Sequence, residues 1–188
     1  MKKRQVDHVL RAAGRITGDR QFIIIGSQSL HGKHPDLPDS IVLSMEVDLI
    51  ARNERDRTEW LNAIGVDSRF HEEFGYYADP VDEKSAVLPR GWKGRLVNLP
   101  PGDTGGASGL CLDPHDLAIS KYVARREKDI AFNLEMARLR IVDRERLIEL
   151  LAVTPVSEDR KRQIREFIEL DFPAPFRGQP APRKKRRS

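Results

Sequence analysis

The chain has a single cysteine, Cys111, in 188 residues, so no internal disulfide can form and a reducing cytoplasm is the expected setting. Cys111 lies between two leucines and reads as a core residue. The longest strongly apolar run is about four residues, Phe22 to Ile25, far short of the roughly 20 that a membrane-crossing helix needs. The opening Met1-Lys2-Lys3-Arg4 has the charge of a secretory leader, but no apolar stretch follows it within residues 5–21. No internal repeat is present. His31, His34, His71 and His115 lack zinc-ligand spacing, apart from the loose pair His31-x-x-His34. Ser27 is not flanked by the residues of a nucleophile elbow, which argues against a hydrolase of that kind.

What is present describes an ordinary globular protein. Hydrophobic residues make up 39% and charged residues 33%, and the length suits one domain with at most a small appendage. The net charge of +4 favours anionic partners such as nucleotides or RNA. Five of the positive charges sit in Arg183-Lys184-Lys185-Arg186-Arg187, and without them the balance falls to −1. The basicity is thus mostly a property of the Pro-rich segment 173–188, which reads as a disordered tail. That run suits non-specific phosphate binding, simple solubilisation or nuclear localisation.

The apolar positions Val6, Val9, Leu10 and Ala13 predict a helix over residues 5–17, ended at Gly18-Asp19. Residues 21–25 predict a buried strand, and 26–32 the start of a short helix with Leu30 turned inward. A loop with two prolines over 33–40 leads to a second strand over 41–50. The pattern predicts a helix over 53–65, capped by Asn53, ended by Gly65 and burying Trp60, Leu61 and Ile64. Short strands are predicted at 74–78, 94–99 and 110–112. Asp113-Pro114 then starts a long helix through Asn133, with Asp113 as cap. Further helices are predicted near 134–152 and 157–169. The expected fold is α+β, a small mixed sheet with a helical C-terminal half. The expected division is 1–133 as the sheet-bearing domain, 134–172 as a helical extension packed on it, and 173–188 as the tail.

Three segments carry chemistry. The first, Phe22 to Ser27, is an apolar run ending in Gly26-Ser27, small residues that let a phosphate approach the backbone. The second, Ser44-Met45-Glu46-Val47-Asp48, puts two carboxylates at i and i+2 of a strand, on one face, with Val47 turned into the core. Adjacent acids repel unless a cation sits between them, and a divalent ion serving phosphoryl chemistry is the usual solution. The third, Asp116 to Asp129, would present Lys121, Arg125, Lys128 and Asp129 on one helical face.

Taken together, Gly26-Ser27-Gln28-Ser29-Leu30-His31-Gly32, Ser44-Met45-Glu46-Val47-Asp48, and Asp116-Leu117 with Lys121 and Arg125 through Asp129 resemble the nucleotidyltransferase superfamily of the polymerase-beta type. More closely, the chain is similar to the AbiEii/type IV toxin-like nucleotidyltransferases. The likeness covers about residues 22–133, some 60% of the chain. The resemblance implies an enzyme that moves NMP from an NTP to a hydroxyl acceptor, a tRNA or other RNA 3′ end or a protein side chain. It implies Mg²⁺ on Glu46 and Asp48, and nucleotide contacts from Gly26, Ser27, Ser44, Lys121 and Arg125. Catalytic roles fall to Asp48, Glu46, Lys121 and Asp129, the last as an acid/base or metal-organising group. A cytoplasmic toxin or phage-defence role with an antitoxin partner is implied too.

The chain departs from that pattern in three places, the third being that no third strand carboxylate is obvious. The superfamily motif is Asp-x-Asp, whereas the first acid here is Glu46, and 18 residues separate it from Ser27. Asp79, after Tyr76-Tyr77-Ala78, is the best-placed third carboxylate. The alternative is a catalytically degenerate fold that binds nucleotide, RNA or a partner. Plainer readings also stand: an exposed acidic strand face, a glycine that merely ends a strand, and a solvated charged helix.

Overall fold

A computed structural model describes residues 1–34 and 36–172, so the expected tail, 173–188, lies outside the described residues. Helix α1 (Lys3–Thr17) is followed by strand β1 (Gln21–Ile25) and a 3₁₀ helix over Ser27–Gly32. Strand β2 (Glu46–Ala51), a 3₁₀ helix over Arg55–Ile64, helix α2 (Arg69–Phe74) and strand β3 (Tyr77–Pro80) come next. Strands β4 (Val97–Asn98) and β5 (Ser108–Cys111) complete the sheet. Four helices close the described chain: α3 (Pro114–Ala124), α4 (Glu127–Arg138), α5 (Arg144–Ala152) and α6 (Glu158–Asp171). The expected α+β class with a mixed sheet and a helical C-terminal half is what the structure shows. No described helix is long and apolar enough to cross a membrane.

The five strands run β3-β2-β1-β5-β4. Strand β1 is central, antiparallel to β2 and parallel to β5. Its alternation serves both faces, because successive side chains point opposite ways. Phe22 and Ile24 join Val47, Leu49 and Ala51 against Val6, Val9, Leu10 and Ala13 of α1. Ile23 and Ile25 join Ile50 in a second core with Leu117, Tyr122, Met136, Leu147, Ile164 and Ile168. Each fully buried aliphatic side chain contributes about 1.5–3 kcal/mol. Glu46 and Asp48 share their face of β2 with Ile50, so the acids look toward the C-terminal helices.

Five local expectations are corrected. The second strand begins at Glu46 rather than at residue 41, because β1 turns away after pairing Ile25 with Asp48 and leaves 42–45 without a β1 partner. The helix expected over 53–65 is a 3₁₀ helix, whose three-residue period stacks Leu61 and Ile64 inward. Trp60 therefore points out, 53% exposed, with the Arg57 guanidinium 5.2 Å from its ring. Asn53 does not cap this helix; its backbone N–H and Nδ2 donate to Asp19 at 2.7 and 2.9 Å. The long helix expected from 116 to 133 breaks at Arg125, which takes a left-handed φ of 51°, and α4 then runs unbroken through 133–134.

The start of α3 follows the sequence closely. Asp113 accepts from the His115 N–H at 2.9 Å, with Pro114 in the first turn. The His115 ring bridges Asp113 (3.1 Å) and Asp143 (3.0 Å), and Asp143 caps α5, so one imidazole ties two helix N-termini. Burial works against charge on His115, but the two carboxylates outweigh it and raise its pKa above 6.5. A raised histidine pKa stabilises the fold fully below about 6.5 and loses that contribution as pH rises through the folded-state value. His115→Gln should therefore lower the melting temperature more at pH 6 than at pH 9, as thermal denaturation across that range would record. An equal loss at both pH values would mean the ring acts only by packing.

Candidate active site

Asp48 is placed by its neighbours on both sides. In the β1–β2 ladder it lies opposite Ile25, the residue before Gly26. Gly26 has φ 74° and ψ −170°, a conformation that suits glycine almost alone. Its Cα lies so close to Asp48 that an added methyl would overlap the Oδ2 oxygen. The corner then enters the 3₁₀ helix at Ser27, where Ser29 Oγ donates to the Gly26 carbonyl at 2.7 Å. Gln28, fully buried, donates to the Ser44 carbonyl at 3.1 Å and so holds the approach to β2 against the corner. Ser44 Oγ donates back to the Glu46 carbonyl at 3.3 Å.

The other neighbour is β3, parallel to β2, with Asp79 in register with Asp48 and Tyr77 with Glu46. Residues paired across strands share a face. The structure thus brings Asp79 beside the two acids, in the position the sequence suggested for a third carboxylate. Tyr77 Oη donates to Glu46 Oε2 at 3.4 Å. Burial, then Asp79, then Glu46 push the Asp48 pKa up to about 6, against an opposing pull from Lys121. Asp79 is raised by burial and by Glu46. Three acids on one face in partial burial favour a cation beside them.

Cations face them from the break between α3 and α4. Lys121 Nζ lies 3.0 Å from Asp129 Oδ1 and 4.4 Å from the centre of the Phe132 ring. Asp129 is wholly buried and also accepts from Arg126 Nε at 2.7 Å and the Arg126 N–H at 3.3 Å. Burial would raise the Asp129 pKa, but Arg126 and Lys121 outweigh it and hold the carboxyl below its usual range. Its role in the geometry is to aim two cations. Arg125 goes elsewhere: its guanidinium stacks 3.2 Å from the centre of the Phe167 ring on α6. The residues that line the cleft with Lys121 are Arg126 and Lys128. On an unbroken helix Arg126 falls off the Lys121 face, so the sequence pattern does not single it out. Nothing in Arg125-Arg126-Glu127 signals a break, since no glycine or proline is there.

Gly26, Ser27, Ser44, Glu46, Asp48, Asp79, Lys121, Arg126 and Lys128 all line one cleft of about 860 Å³. That volume lies within the roughly 300–1,000 Å³ common for small-molecule sites. Among the described residues no group of three or more His, Cys, Asp or Glu side chains is gathered to hold a metal ion unaided. Mg²⁺ is commonly bound by one or two carboxylates plus substrate phosphates and retained waters. The donor set, hard carboxylate oxygens crowded until Asp48 resists ionisation, fits that ion. Glu46 and Asp48 are the residues that would hold it.

Neither a curated protein nor a solved structure matches the chain. One family model does, described as a nucleotidyltransferase of unknown function (DUF6036), over residues 4–171. The match takes in all five strands, the Gly26-Ser27 corner, the acids and the Lys121–Asp129 pair. The chain belongs to this family of nucleotidyltransferases.

Proposed function

We propose that the protein transfers NMP from an NTP to a hydroxyl acceptor, with Mg²⁺ on Glu46 and Asp48. The observation that carries this reading is the meeting of Gly26, Asp48 and Asp79 on one side of a cleft whose other side presents Lys121 and Arg126. Gly26 and Ser27 leave room for a triphosphate against backbone N–H groups. Lys121, Arg126 and Lys128 oppose the charge of the β- and γ-phosphates. Asp79, with its raised pKa, is suited to take the proton of an attacking hydroxyl as the new ester bond to the α-phosphorus forms and pyrophosphate leaves. Mg²⁺, when bound, neutralises charge that develops on the phosphate oxygens. Asp129 acts through Lys121 and Arg126, as a positioning residue rather than an acid or base.

The likeness of the Gly26–Gly32, Ser44–Asp48 and Lys121–Asp129 segments to AbiEii/type IV toxin-like enzymes supports a toxin or phage-defence role. RNA or protein would be the acceptor and an antitoxin the partner. The Glu46 substitution supports the alternative of a nucleotide-binding protein without turnover. Titration of the purified protein with MgCl₂ and NTP, followed by thermal shift and calorimetry, tests the binding half of the reading. Wild-type protein should be stabilised by the pair together. Lys121→Ala should weaken NTP binding by about 10–100-fold, the worth of one charge-assisted contact. Equal affinity in the variant would remove Lys121 from the phosphate site. Tight binding with no transfer to any acceptor would favour the alternative.

A further inference from the structure

Beyond its charged centre, the cleft is walled by apolar side chains that face water. Leu43 and Met45, on the approach to β2, are 78% and 54% exposed, and Val87, in the segment after β3, lines the same cleft. Exposed apolar residues gathered around a charged centre mark a ligand groove. The neutral polar side chains lining the cleft, among the described residues, are serines. Four of them already donate within the protein: Ser40 to Glu135 Oε1 (2.8 Å), Ser44 to the Glu46 carbonyl (3.3 Å), Ser85 to the Asp82 carbonyl (2.7 Å) and Ser120 to the Leu117 carbonyl (2.7 Å). The fifth, Ser27, belongs to the phosphate corner.

The protons of those four hydroxyls are therefore spent, and these serines offer the cleft acceptors without a free donor. On the nucleotidyl-transfer reading, the six charged lining residues are committed to the metal, the phosphates and the proton of the attacking hydroxyl. Among the described side chains, this leaves contact and shape to hold the remainder of a nucleotide. An apolar wall tells similar ligands apart by about 10–200-fold, whereas a site built of hydrogen-bonding groups reaches about 10⁴–10⁵.

We infer that this site takes nucleoside triphosphates with little choice among the four bases, the base resting on Leu43, Met45 and Val87. The inference rests on the nucleotidyl-transfer reading and adds the substrate class to it. Mg²⁺-dependent binding of ATP, GTP, CTP, UTP and inorganic tripolyphosphate to the full chain, measured by calorimetry, tests it. The four NTP dissociation constants should agree within about 100-fold, and each NTP should bind more tightly than tripolyphosphate. Leu43→Ala combined with Val87→Ala should weaken every NTP by about tenfold and leave tripolyphosphate unchanged. One NTP preferred by more than about 1,000-fold would overturn the inference while leaving nucleotidyl transfer standing. So would tripolyphosphate binding as tightly as an NTP, or a double variant with unaltered NTP affinity. No binding of any probe would overturn both readings together.

Discussion

Asp48→Asn should abolish nucleotidyl transfer and at the same time make the metal-free protein more stable. The loss of activity follows from position. Asp48 sits between Gly26 and Asp79 at the bottom of the cleft, and an amide there removes the charge that Mg²⁺ needs. Metal stabilisation of a phosphoryl transition state is worth several kcal/mol, so transfer should fall at least about 10³-fold.

The gain in stability follows from electrostatics. Burial, then Asp79 and Glu46, raise the Asp48 pKa from 3.8 to about 6. The folded state thus holds the proton more tightly than the unfolded chain, and ionised Asp48 costs stability as pH rises through that window. Above it the cost is complete, roughly 1–3 kcal/mol, and asparagine removes it. Melting curves without metal should show the variant above wild type at pH 8 and level with it at pH 4. Mg²⁺ with NTP should stabilise wild type and not the variant. A variant that keeps its activity, or melts lower at pH 8, would contradict the placement of this acid.

Gly26→Ala should damage the same acid from the other side. The backbone there lies in a region costing about 1–3 kcal/mol for a residue with a side chain, and the new methyl collides with Asp48 Oδ2. The melting temperature should fall by about 2–10 °C. Transfer should fall about 10²-fold or more, because a catalytic group displaced by about 1 Å loses that much. Moving Asp48 is the cause, so the double variant Gly26→Ala/Asp48→Ala should be destabilised by less than the sum of the two singles. Additive losses would mean that glycine serves the backbone alone and does not touch the acid.

These expectations rest on features that were readable in the chain. The apolar run ending at Gly26-Ser27, the i, i+2 spacing of Glu46 and Asp48, and the Asp113-Pro114 helix start are short-range signals, and local geometry expresses them directly. Asp79 could be proposed from its place after an aromatic run, but its register with Asp48 needed the β2–β3 pairing, a long-range fact. The break at Arg125 was not legible for a different reason. It goes with a long-range partner, Phe167 beneath Arg125, and with the Asp129 carboxylate, which accepts from the Arg126 N–H at the start of α4 and draws Lys121 in. The regular 3.6-residue reading therefore put Arg125 in the site and left Arg126 out. Trp60 failed similarly, since a 3₁₀ helix turns a different set of side chains inward than an α-helix of the same sequence.

On the proposed function, this cleft activates the α-phosphorus of a nucleotide. Parallel reactions with α-labelled and γ-labelled NTP, Mg²⁺, and cellular RNA and protein as acceptors put it to the test. The α-label should pass to an acceptor in a Mg²⁺-dependent reaction, with the γ-label released as pyrophosphate and no transfer by Asp48→Asn. Transfer of the γ-label, or α-label transfer that persists in the variant, would contradict it.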